Sequence, residues 1–208
     1  MLPVGVRGMN PSHLLARRDA SPHLAIRAGD DLTYSRFANI IRAMIKGQDI
    51  VVLAALMDKK VQKLSYAGLS DGVCLSVAET HAAVKRLQEA TLLNGERSPV
   101  RRNVSEFLVH GIRYAFPMRA SGRLAKGMPT AYAAPVAADE FATSGMVPVW
   151  TGSRGDVQGQ AFDPLYPTAP EAAAGDEALY GRLALIDMLR GGRIRERRFA
   201  EKKIGEML

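Results

Sequence analysis

From residue 44 onward, apolar residues return at helical intervals separated by short polar punctuation. In MIKGQDIVVLAALMDKK, Ile50, Leu53, Ala54 and Met57 fall on one helical face, and Gln48 or Asp49 is placed to cap it. In NVSEFLVHGIRYAFP, Val104, Phe107, Leu108, Gly111, Ile112 and Ala115 keep the spacing of one buried stripe. Asn103 and Glu106 make an N-x-x-E start there, and Pro117 ends the run. Leu179, Leu183, Ile186 and Leu189 predict a further helix, which Gly191-Gly192 breaks before RIRERRFAEKKIGEML resumes the pattern. Residues 118–170 are rich in Gly, Pro and Ala with short apolar runs, which predicts loops with about two short strands. Residues 1–43 show no sustained period apart from the helical look of YSRFANIIRAMI, Tyr34 to Ile45. We expect a poorly packed extension there, with Met44 as an alternative first residue.

The stretch LSYAGLSDGVCLSVAETHAAVKRLQEATLL, Leu64 to Leu93, predicts two short helices joined at GVCLS. Ser65 caps the first, with Tyr66, Ala67, Leu69 and Val73 as its apolar positions. Leu75 tucks under, and Ser76 with Glu79 forms an S-x-x-E capping box for the second. Small residues at Ala78, Ala82 and Ala83 allow close approach, while Ala82 or Ala83, Val84 and Leu87 point inward. Val77, Thr80, His81, Lys85 and Gln88 are then expected outside, with Arg86 at the flank. Asn94-Gly95 and Pro99 predict a stubby hairpin after Leu92-Leu93.

On Ser65, Leu69, Leu75, Ser76, Lys85, Arg86, Leu87, Leu92 and Leu93, residues 47–102 resemble the winged helix-turn-helix of bacterial transcription regulators. The run from Met44, with EFLVHGIRYAFP, GMPTAYAAP and DPLYP, also resembles an uncharacterised bacterial family that carries an N-terminal helix-turn-helix. The resemblance implies a mainly α fold with a small β wing, then a loop-rich segment and C-terminal helices. The divisions are 1–43, 44–117 and 118–208. Cys74 and Thr91 stand where those regulators have glycine, at positions that often need positive φ.

A recognition helix at about 76–90 would enter the major groove with its early side chains on base edges. The expected DNA-binding residues are Ser76, Thr80, His81, Lys85 and Arg86, with Arg97, Arg101 and Arg102 around the wing on phosphates. Charge agrees in part. The chain carries a net +7, with +6 over residues 44–126 and −5 over 127–190. Double-stranded DNA is therefore the expected partner of the first half, and a homodimer on paired half-sites is the expected assembly, with 176–208 as its candidate surface. The acidic segment keeps a second reading open, a protein-interaction module of the antitoxin-like kind. One cysteine, Cys74, leaves no intramolecular disulfide framework. No apolar run is long enough for a membrane span, and a cytoplasmic place is expected. None of the common catalytic or nucleotide-binding motifs is present. A non-enzyme without metal or cofactor is the expectation.

Overall fold

Gly47–Leu56 forms the first helix, α1, of the computed structural model, which describes residues 45–118, 122–143, 145–152 and 154–208. The expectations for residues 1–43 and for Met44 lie outside those residues. Asp49, in the first turn of α1, accepts from the Lys46 N–H at 2.8 Å. Every residue from Asp49 to Met57 is buried. The expected single apolar face of Ile50, Leu53, Ala54 and Met57 is therefore only one side of a fully enclosed helix. A helix that is apolar all round needs partners on every side. Gly47 is required because a Cβ would stand 1.8 Å from the Leu165 carbonyl oxygen.

Asp58 caps the short helix α2, Lys59–Gln62. Ser65 caps α3, Tyr66–Gly72, by accepting from the Gly68 N–H at 3.2 Å. Ser76 then caps α4, Val77–Glu89, and its expected box with Glu79 is formed. Cys74 has φ +52 and Thr91 has φ +59, so both glycine-like positions do adopt the left-handed conformation. After α4 the backbone turns at Asn94-Gly95, with Asn94 and Ser98 bonded at 2.9 Å and one bridge between Leu93 and Pro99.

Residues 101–115 form α5, made of Arg101–Glu106, a π turn at Phe107–Gly111, and Ile112–Ala115. The helix starts two residues before the expected N-x-x-E cap. Asn103 instead donates to the Thr91 carbonyl at 2.8 Å and to Thr91 Oγ1 at 3.2 Å. It ties the strained turn after α4 to the start of α5.

The segment expected to hold loops with about two short strands holds three strands that form one sheet. β1 is Leu124–Pro129, β2 is Pro148–Thr151 and β3 is Val157–Phe162. β1 runs antiparallel to both others, and β2 and β3 pair in parallel, so the three strands close on themselves. Gly127 pairs with both Thr151 and Val157, and a Cβ there would lie 1.8 Å from the Trp150 carbonyl oxygen. Short 3-10 turns at Ala131–Ala133 and Pro135–Ala137 follow β1.

Three helices complete the chain: α6, Ala169–Gly175; α7, Glu177–Gly191; and α8, Ile194–Met207. The break at Gly191-Gly192 falls where the sequence placed it. Helix α7 is embedded from Leu179 to Arg190 apart from the half-buried Gly181, and it packs against α1, α5, α6 and α8. Its buried Asp187 accepts from Thr130 Oγ1 at 2.9 Å, Trp150 Nε1 at 2.6 Å and Arg190 NH1 at 2.6 Å. Arg190 also donates through Nε to the Phe116 carbonyl at 2.9 Å. Buried charge is tolerated here because both partners are present and hydrogen-bonded. This cluster joins the sheet to the end of α5, and the fold is mainly helical with one small three-stranded sheet.

Candidate nucleic-acid interface

Helix α4 has one buried face, formed by Thr80, Ala83, Val84 and Leu87. Its opposite face begins at Val77, which is 49% exposed, and continues through Ala78, Glu79, His81, Lys85 and Glu89. Ser76 is exposed at the head of the helix but is engaged in the cap. Its hydroxyl meets Glu79 Oε2 at 2.7 Å. That hydrogen bond holds the Glu79 carboxyl below the usual glutamate range, with help from the Ser76 N–H and the charge of Lys46.

Three of the expected readers are committed elsewhere. Thr80 is fully buried, and its Oγ1 has no hydrogen-bond partner among the described residues. The expected outward position was wrong by about one residue of helical phase: Thr80, Val84 and Leu87 share the 3.6-residue stripe that packs inward. Arg86 forms a two-pronged ion pair with the fully buried Asp49, Nε to Oδ2 at 2.8 Å and NH2 to Oδ1 at 2.5 Å. Its guanidinium is therefore spent on fastening α4 to the start of α1 rather than free for a guanine or a phosphate. Arg97 sits at φ +63 in the hairpin, and its NH2 donates to the carbonyls of Gln62 at 3.1 Å and Leu64 at 2.9 Å.

His81 and Lys85 are placed as expected, both exposed on α4. The His81 ring lies 4.8 Å from that of Tyr66, and the Arg97 guanidinium sits 4.9 Å from the same tyrosine ring. One aromatic of α3 thus ties together α4 and the hairpin. Arg101 and Arg102 are exposed but belong to the first turn of α5, not to the hairpin. Arg101 donates to the Gly205 carbonyl at 2.9 Å, which links α5 to the end of α8.

The hairpin has a different basic neighbour. Gln62 accepts from Ser98 Oγ at 3.0 Å, so the hairpin lies against α2 and the exposed Lys59, Lys60 and Lys63 around it. The sequence reading missed these lysines. Their signal was the run DKKVQK, which the helical periodicity of α1 overshadowed. What results is an exposed helix face, a short hairpin beside it, and against the hairpin the end of α2, whose segment carries three exposed lysines. Such a surface can contact a polyanion through its lysines and offer a few side chains to an edge.

Among the described residues no helix is long and apolar enough to cross a membrane, and no cluster of His, Cys, Asp or Glu could hold a metal ion. Compared with known proteins, the chain matches no family model, no curated protein and no solved structure.

Proposed function

We propose that this chain is a non-enzymatic regulator that binds double-stranded DNA with a helix-turn-helix made of α3 and α4, the hairpin at 92–100 acting as a short wing. The reading rests on one observation. The buried stripe of α4 packs against the body, while Val77 to Lys85 leaves a helical surface open to solvent beside the hairpin. A bare helix face of this kind fits a major groove, and early residues reach base edges. Val77, Ala78, His81 and Lys85 are the proposed base-proximal residues. Lys59, Lys60, Lys63 and Arg102 are the proposed phosphate contacts. A single unit touches few base pairs, so the proposed binding form is a homodimer on two half-sites.

The test is selection of bound sequences from a random DNA library by the full chain, followed by affinity measurements across salt concentrations. Lys85→Glu is expected to weaken binding about tenfold or more, and each phosphate contact removed lowers the salt slope by about 0.9. Unaltered affinity and slope in Lys85→Glu combined with Lys59→Gln, Lys60→Gln and Lys63→Gln would sink this reading.

One observation favours a second reading, the protein-interaction module. Glu79 and Glu89 share the exposed face of α4 with Lys85 and dilute its positive field. A partner protein that stays bound to the chain in the absence of DNA, and is released by Lys85→Glu, would favour it over DNA.

A further inference from the structure

A cavity of about 600 Å³ opens between the sheet, the 3-10 turn at Ala131–Ala133 and the start of α8. Its size lies within the range of small-molecule sites, roughly 300–1,000 Å³. The wall is mixed: Met118, Phe141, Met146, Pro148 and Phe162 supply its apolar part, with Tyr132 entering from the turn and charged side chains at the rim. Tyr132 and Phe141 stand 6.5 Å apart, and Phe141 meets Phe199 edge-on at 5.4 Å, so the aromatic wall is backed by α8.

The polar groups are not equivalent. Arg195 is paired with Glu140 at 3.0 Å and lies over the Phe141 ring, so that pair forms a neutral rim. Glu196 is engaged with the Arg193 N–H at 3.2 Å, capping α8. Arg193 is exposed, and among the described residues no carboxylate lies within ion-pair distance of its guanidinium. Among the described residues the Tyr132 hydroxyl reaches only the Met146 carbonyl, at 3.5 Å, the limit of a hydrogen bond. Burial, then the charge of Glu196, push this phenol above its usual range while Arg193 opposes them. Tyr132 therefore keeps its proton as a donor, and it lies within electrostatic reach of Arg193.

We propose that this cavity binds a small organic carboxylate with an aromatic or branched aliphatic body. The apolar body lies against Tyr132, Phe141 and Phe162. The carboxylate accepts from the Tyr132 hydroxyl and meets the Arg193 guanidinium. Glu140 is neutralised by Arg195, and Glu196 gives one oxygen to the Arg193 N–H but keeps its charge, so the amines test its pull against that of Arg193. The site is independent of the DNA reading, since occupancy is measured directly.

The experiment is calorimetric titration of the full chain with indole-3-acetate, 3-phenylpropionate and 4-methylvalerate. Tryptamine and 2-phenylethylamine serve as partners of opposite charge. Saturable one-to-one binding of at least one carboxylate is expected, with the amines at least about tenfold weaker. Arg193→Glu is expected to weaken the carboxylate by about tenfold or more, and Tyr132→Phe by a smaller factor. Gln160→Trp, on the cavity side of β3, is expected to abolish binding by filling the space. No saturable carboxylate binding, amines as tight as carboxylates, or full affinity in a folded Arg193→Glu chain each overturns the proposal.

Discussion

Arg86 on α4 and Asp49 on α1 meet through two parallel hydrogen bonds, 37 residues apart in the chain. Asp49 is fully buried and also accepts the Lys46 N–H, so its charge is surrounded by donors. The pair sets how α4 lies on α1, and hence where His81 and Lys85 point. Removing Arg86 leaves a buried carboxylate without its counter-ion. Arg86→Met is expected to cost about 3–5 kcal/mol in urea unfolding, and Arg86→Lys less, because one ammonium replaces the fork. Asp49→Ala combined with Arg86→Met is expected to recover part of that loss. A stability unchanged by Arg86→Met would mean the pair does not hold the helix.

Thr80 separates the two roles that α4 residues can have. Its hydroxyl is buried without a partner among the described residues. Thr80→Val removes that unsatisfied group at nearly constant volume and is expected to raise stability by about 1 kcal/mol. DNA affinity is expected to stay at the parent value. A large affinity loss in Thr80→Val, with stability intact, would return Thr80 to the reading surface.

Thr91 is a β-branched residue at φ +59, in a region where glycine is at ease. Thr91→Gly relieves roughly 1 kcal/mol of backbone strain, offset in part by loss of the Asn103 contact to Oγ1 at 3.2 Å. Thermal melting is expected to show a small net gain. Thr91→Val keeps the strain and loses the hydroxyl, so it is expected to melt below the parent. The reverse order would show that the turn does not store strain.

Tyr180 donates to the Pro129 carbonyl from α7, and burial pushes its phenol up to about 12. The unfolded chain ionises this group near 10. Stability from the neutral buried phenol is therefore present below pH 10 and is lost as pH rises through 12. Tyr180→Phe is expected to be less stable near neutrality but to lose less between pH 10 and 12. Parallel alkaline unfolding curves for parent and variant would contradict this.

Glu79 works in the opposite direction, since its folded carboxyl is held low by Ser76. Its stabilisation of the α4 cap is present above the usual glutamate range and is lost as pH falls through its lowered value. Glu79→Gln is expected to flatten the acid limb of the stability curve, read by circular dichroism between pH 2 and about 6. An unchanged acid limb would argue against the cap.

Much of the local structure was legible because it depends on near neighbours. The caps at Ser65 and Ser76 and the break at Gly191-Gly192 each follow from one or a few adjacent residues, whereas the left-handed turns at Cys74 and Thr91 were expected only from the resemblance. Two short strands were expected in 118–170, but the third strand and the closure of the sheet were not legible. Its strands are short, and its pairings join residues 124–129 to 148–151 and 157–162 through irregular connections. The candidate site was half legible for the same reason. Periodicity shows that α4 has an inner and an outer face. It does not show that Arg86 finds Asp49, or that Arg97 turns back onto Gln62 and Leu64.

By itself the sequence determined the caps at Ser65 and Ser76, the break at Gly191-Gly192, and that residues 44–126 hold the largest block of net positive charge. Tertiary structure alone decided which cations remain free. A guanidinium's role depends on whether a carboxylate or carbonyl lies within about 3 Å. Residues far apart in sequence supply those partners, and only packing brings them together. Arg86 and Arg97 became fasteners in that way, while Lys85 and the lysines around α2 stayed at the surface.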